Sequence, residues 1–147
     1  MSKQLSAQVD IHATPDRVWE VLTDFAAYPE WNPFITQASG SARVGERLTN
    51  RMQPVGARGV NFRPTVLQAD PGRRLRWLGR LLVPGIFDGE HTFTIEPLGD
   101  GQVRLVQHEN FSGVLVPLMA RSLDRHTLPA FELMNQALKR RAEQGTA

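Results

Sequence analysis

A chain of 147 residues fits one domain and can bury one core, and its 17 basic against 15 acidic residues leave a formal charge of only +2. The absence of cysteine excludes disulfides, thiol chemistry and cysteine-type zinc sites. No apolar run approaches the ~20 residues of a membrane span, the first residues carry no leader pattern, and the arginines are dispersed, so the expectation is a cytoplasmic protein without stable membrane insertion or a nucleic-acid partner.

The chain opens with a strand. Leu5, Ala7, Val9 and Ile11 alternate with Ser6, Gln8, Asp10 and His12, the period-two pattern of a strand with one buried face, which turns His12 outward. Thr14, Pro15 and Asp16 then read as a helix start: a capping hydroxyl, a proline where its missing donor costs nothing, and an acid at the positive end of the dipole. Arg17 stands where a full capping box would need an acid or amide. Val18, Val21, Leu22 and Phe25 give this short helix its apolar stripe. Residues 26–34, AAYPEWNPF, place Tyr28 and Trp31 beside Pro29 and Pro33, which stop any long helix and suggest a packed corner between helix and sheet.

The middle of the chain alternates strand patterns with turns. After Gly40 and Ser41, Leu48, Asn50 and Met52 share a face, and residues 54–59 form a loop with two glycines. In residues 59–69, Val60, Phe62, Pro64 and Val66 fall on one side, and the internal Pro64 argues for an edge position or a bulge. Asp70, Pro71 and Gly72 make a turn. Leu75, Trp77, Gly79 and Leu81 then face inward, with arginines outward. Residues 82–87, LVPGIF, interrupt the pattern with apolar side chains on a loop. They are a candidate lid at one end of a cavity, with simple edge packing as the alternative and contact with a membrane surface as a third. Two long strands follow, joined at Asp100 and Gly101. His91, Phe93 and Ile95 share one parity, as do Val103, Leu105, Gln107, Glu109 and Phe111, while Arg104, Val106, His108 and Asn110 face out. A single bulge would reverse these assignments. Strands in succession without crossover helices mean an antiparallel sheet.

Residues 115–143 read as one long amphipathic helix, ~28 residues and ~42 Å if continuous. Phe131, Met134 and Leu138 form a buried stripe in its second half. Leu115, Leu118, Met119 and Leu123 make a broader one in the first, and Lys139, Arg140 and Arg141 complement the negative end of the dipole. Pro129 predicts a kink or break near Leu128, with two helices over 114–127 and 130–143 as the alternative. The first half would then serve as a flap over a cavity mouth, or the kink would serve packing alone.

The stretch IHATPDRVWEVLTDFAAYPEWNPF, the later FTIEPLGDGQVRLVQHENFSG and the ending FELMNQALKRRAE together resemble the START-related SRPBCC superfamily, in its polyketide cyclase/dehydrase-like branch. The resemblance runs over about residues 4 to 143, and its motifs are specific for fold and poor for function. It implies an α+β helix-grip fold in a single START-like domain over residues 1–147. A seven-stranded curved antiparallel sheet would wrap a long C-terminal helix, with two short helices after the first strand and an apolar cavity between sheet and helix. Members bind lipids, sterols, hormones or polyketides, and a few catalyse cyclisation, dehydration or aromatisation, so the resemblance supports a cavity more strongly than any reaction.

If the strand parities hold, Asn50, His91, Gln107 and Glu109 project from a concave apolar face, and burying each without a partner would cost ~1–3 kcal/mol. They must pair with each other, with water or with a ligand; for Glu109 an arginine or the backbone are further alternatives. The expected ligand is a hydrophobic or amphipathic small molecule, its apolar part along Phe62, Val66, Trp77, Phe93, Leu118 and Phe131 and its polar ends at Asn50, His91, Gln107 or Glu109. A second reading is a cyclase or dehydratase with His91 and Glu109 as the acid/base pair. A third is an interaction protein whose sheet and helix pack shut. A closed core would favour the third, an open pocket with His91 and Glu109 close together would favour chemistry, and separated polar groups would favour binding. His12, His91, His108 and His126 lack metal-ligand spacing, Ser112 lacks the setting of a hydrolase nucleophile, and no phosphate-binding glycine loop occurs, so neither metal nor cofactor is expected.

Overall fold

The computed structural model describes residues 2–81 and 83–144. β1 (Ser2–Ile11) leads into α1 (Pro15–Thr23), a short 3-10 turn (Phe25–Ala27) and α2 (Tyr28–Trp31). β2 (Ile35–Ser39), β3 (Thr49–Met52), β4 (Val60–Phe62), β5 (Thr65–Asp70), β6 (Arg74–Leu81), β7 (Phe87–Gly99) and β8 (Gln102–Ser112) follow. α3 (Val116–Ser122), a π-helical turn (Leu123–Thr127) and α4 (Leu128–Glu143) complete the described chain. The local signals act as their chemistry requires. Thr14 Oγ1 accepts the Arg17 amide at 3.1 Å with Pro15 in the first turn, and Tyr28, wholly buried, donates its hydroxyl to the Leu22 carbonyl. Burial, with Asp24 nearby, pushes the Tyr28 phenol well above its ordinary range.

The strands are antiparallel, but the expected seven-stranded sheet is instead a five-stranded sheet, ordered β1-β8-β7-β6-β5, and a three-stranded one, ordered β2-β3-β4. Pro64 causes the split. The pattern read as one strand over 59–69 is broken at Arg63 and Pro64, so that β4 pairs with β3 and β5 pairs with β6. Proline has no amide proton to continue the ladder, and the chain turns from one sheet into the other there. The two sheets stay joined along residues 45–48: Gly45 donates to Val66 O at 2.9 Å, Val66 to Glu46 O at 2.9 Å and Leu48 to Pro64 O at 2.8 Å. β5 carries a bulge between Val66 and Gln68, whereas the β7–β8 register is regular from Asp88 to Pro97. That regularity preserves the side-chain parity and turns His91, Gln107 and Glu109 to the buried face.

The C-terminal helix neither breaks nor simply kinks at Pro129. The five-residue π turn precedes it, with Leu128 N–H bonding back to Leu123 O. A wider turn accommodates a proline that lacks its donor and crowds the carbonyl behind it. Phe131, Met134 and Leu138 are fully buried beneath α4, which lies against β1 and α1. No described helix is long and apolar enough to cross a membrane.

The end of α4 is tied to the end of β1. Glu143 Oε2 accepts the His12 amide at 2.8 Å and Lys139 Nζ at 2.7 Å, and Lys139 also donates to Asp10 O at 2.9 Å. Hydrogen bonding from Lys139, then from the His12 backbone, holds the Glu143 carboxyl below its ordinary 4.5. As pH falls the unfolded chain therefore takes up this proton first. The stabilisation is complete above about pH 4.5 and is lost as pH drops through the lower folded value. Glu143→Gln should accordingly flatten the acid limb of stability below about pH 4.5, read as urea midpoints against pH; an unchanged limb would remove Glu143 from acid unfolding.

Candidate functional site

The register places Glu109 directly opposite His91, with Trp77 opposite His91 on the other side and Gln107 opposite Phe93. His91 has no exposed surface and sits among aromatic rings: Phe93 stacks at 4.5 Å and 24°, Phe131 lies at 4.9 Å and Trp77 at 5.7 Å. In such surroundings each polar atom needs a partner. His91 Nδ1 meets Glu109 Oε1 at 3.1 Å and its Nε2 meets Gln107 Oε1 at 3.0 Å. Gln107 Nε2 donates to Asn135 Oδ1 at 2.7 Å and to Phe131 O at 3.2 Å. A continuous polar chain thus runs from β8 through β7 to α4. Glu109 pairs with a histidine here, rather than with an arginine or the backbone.

The gap between sheet and helix is filled under α4 and open under α3 and the π turn. The opening is a cavity of about 270 Å³. Its walls are Phe34 just ahead of β2, Met52, Val60 and Phe62 from the smaller sheet, Trp77, Leu81, Phe87 and Phe111 from the larger one, and Met119 and Leu123 from the helix. Its floor includes Gly79 and Gly89, which face each other across β6 and β7, and Glu109. Glycine at these positions lets neighbouring groups take the place of a side chain: Phe62 and Pro64 lie over Gly79, and a Cβ on Gly89 would collide with Glu109 Oε2. Residues 53–59 close one side. Val55 donates to His126 O at 2.9 Å, His126 Nδ1 donates to Val55 O at 2.6 Å, and Gln53 Nε2 holds the loop through Pro54 O and Ala57 O. Arg58, Asn61, Ser122 and Thr127 add polar groups to the lining.

Of the residues expected to line the site, Phe62, Trp77 and Glu109 do so. Asn50, Val66, His91, Phe93, Gln107 and Phe131 are buried but stand outside the cavity lining. Neither amide atom of Asn50 has a protein partner among the described residues. Leu118 requires correction: it is 82% exposed, and the neighbouring Met119 faces the cavity instead. The helix stripe was read without the extra residue of the π turn, which re-aims the first half relative to the second. The apolar loop is anchored rather than free. Phe87 stacks on Phe111 at 5.5 Å, and Gly85 O and Ile86 O accept the Val114 and Leu115 amides at 3.0 and 3.1 Å, although Val83 stays 56% exposed. Leu82 lies outside the described residues. Sequence reasoning missed Arg58, His126 and Gly89 as lining residues, although it turned Gly79 inward, and the shared parity of Gly89 with His91 was the signal that could have added Gly89.

A family model described as "Polyketide cyclase / dehydrase and lipid transport" matches residues 2–143. The chain belongs to this family. Among solved structures it is similar to the Zhui aromatase/cyclase from Streptomyces sp. R1128, at 18% identity and a TM-score of 0.81, covering 100% of this chain and 97% of that one. It is similar to a START superfamily protein from Mycobacterium smegmatis at 23% identity and 0.76, covering 97% and 99%. Norcoclaurine synthase from Thalictrum flavum, in complex with dopamine and hydroxybenzaldehyde, matches at 13% and 0.75, covering 100% and 90%. No curated protein matches the sequence. At these identities the likeness is one of fold.

The buried polar chain predicts a large stability effect. Gln107→Leu strands the His91 ring and the acceptors of Asn135 and Phe131, and should cost roughly 2–4 kcal/mol by urea denaturation; a loss below about 0.5 kcal/mol would mean that the chain contributes little.

Proposed function

We propose that this protein binds one small amphipathic molecule in the cavity between the sheet and the first half of the C-terminal helix. The observation that carries the reading is an apolar cavity of about 270 Å³ with a buried carboxylate at its floor. A sheet and helix packed shut would have left no such space. The volume lies just under the ~300–1,000 Å³ of ordinary ligand sites and equals about nine waters at ~30 Å³ each. A one- or two-ring compound or a short chain fits it, and a two-chain lipid does not. The scale agrees with the one-ring compounds named with norcoclaurine synthase. The proposed partner is thus a small hydrophobic molecule rather than nucleic acid, and the proposed compartment is the cytoplasm.

The test is retention and its loss on filling the space. Native mass spectrometry of protein purified from its host should show a bound mass of a few hundred daltons or less. Met119→Trp, which puts an indole into the cavity, should weaken binding of that compound at least about tenfold with the melting temperature preserved. Repeated absence of any bound mass, or binding of a retained compound unaffected by Met119→Trp, would overturn the reading.

One observation favours a second reading, a cyclase or dehydratase. His91 and Glu109 are 3.1 Å apart beside an open cavity. In that case Glu109 takes the proton from the substrate. His91, shut off from the cavity, positions and charge-balances it. Glu109→Gln should then abolish turnover of a cyclisable substrate while leaving the melting temperature within a few degrees; an unchanged rate would exclude Glu109 from the chemistry.

A further inference from the structure

We propose that the floor of the cavity takes a hydrogen-bond donor, so that the bound molecule carries a hydroxyl, phenol or ammonium head rather than a carboxylate or bare hydrocarbon. This rests on the reading of the cavity as a binding site and adds the chemistry of the group that meets Glu109.

The reasoning starts at Gln107, whose amide orientation is fixed by its surroundings. Its Nε2 lies against two acceptors, Asn135 Oδ1 and Phe131 O, so its Oε1 must face His91. An acceptor at that position requires a proton on His91 Nε2. The opposite contact, Nδ1 to Glu109 Oε1 at 3.1 Å, holds one further proton, on either the ring or the carboxyl. Both placements leave Glu109 Oε2 without a hydrogen and with its lone pairs free. Oε2 is the atom that approaches the bare backbone of Gly89, and both residues line the cavity. The protein therefore presents an acceptor to the ligand whichever way the shared proton lies.

An acceptor in an apolar enclosure discriminates by chemistry. A carboxylate there would set lone pairs against lone pairs, and a hydrocarbon would strip water from Oε2 and return nothing. A hydroxyl or ammonium restores the lost bond. A site of this kind rejects an analogue lacking the donor more strongly than one differing by a methylene. Arg58, on the loop of residues 53–59, also lines the cavity, whereas Glu109 stands on β8 beside Gly89.

The experiment compares four probes by calorimetric titration: 2-naphthol, its methyl ether 2-methoxynaphthalene, 2-naphthylmethylammonium and 2-naphthoate. Wild-type protein should bind the naphthol and the ammonium at least about tenfold more tightly than the ether, with naphthoate weakest. Glu109→Met should bring the naphthol-to-ether ratio near one. Glu109→Gln, whose amide oxygen can still face the cavity, should keep the naphthol preference and lose the extra affinity for the ammonium. Gly89→Ala, which displaces the carboxylate without replacing it, should reproduce the Glu109→Met result and serves if that variant fails to fold. An ether that binds as well as naphthol, or a ratio unmoved by both Glu109→Met and Gly89→Ala, would overturn the donor proposal while leaving the cavity a binding site. Failure of all four probes to bind would overturn the binding reading and this inference with it.

Discussion

A carboxylate, an imidazole and two amides buried among aromatic rings need partners, and most of what is particular to this protein follows from how they meet one another, although Asn135 Nδ2 has none among the described residues. Glu109, His91, Gln107 and Asn135 form a single chain of contacts from the sheet to α4. Apolar packing is less directional than hydrogen bonding. Breaking this chain would strand several buried groups at once, so it fixes where Phe131 and Asn135 sit over β7 and β8. Glu109, at one end of the chain, meets the cavity, so the same device that docks the helix also orients the polar group of the site.

The cavity exists because packing is asymmetric along the helix. Under α4, Phe131, Met134 and Leu138 meet the sheet and leave no space. Under α3, the π turn ahead of Pro129 changes the direction of the side chains, and Gly79 and Gly89 withhold theirs from the floor. Removing side-chain volume at two facing strand positions would ordinarily weaken a sheet. Here Phe62 and Pro64 lie over Gly79, and the Glu109 carboxylate and Phe111 lie over Gly89. The loop of residues 53–59, latched to His126 by a reciprocal pair of bonds, completes the enclosure from the other side.

The site was legible in the sequence where it depended on strand parity. Once the β7–β8 ladder is regular, the period of two settles that His91, Gln107 and Glu109 share a buried face. It was not legible where it depended on the relation of distant elements. Nothing in the spacing of Val55 and His126 announces that they meet. Leu118 and Met119 are equally plausible members of one stripe until the π turn decides between them. The strand count went wrong for the same reason: Pro64 marked an interruption, but whether the chain resumed in the same sheet or crossed to another was a matter of what packed beside it.

Local chemistry was thus enough to place the capped first helix, the alternating strands with the buried faces of β7 and β8, and the long amphipathic ending, while the family was read from the resemblance of whole stretches of sequence. Those features are set by backbone propensity and by short-range periodicity, which a sequence carries directly. Tertiary structure alone decided that His91 is sealed behind the wall while Glu109 reaches the cavity, and that the open space lies at one end of the helix. Both outcomes depend on volumes and hydrogen-bond partners contributed by residues far apart in the chain, and only the packed structure sets their distances.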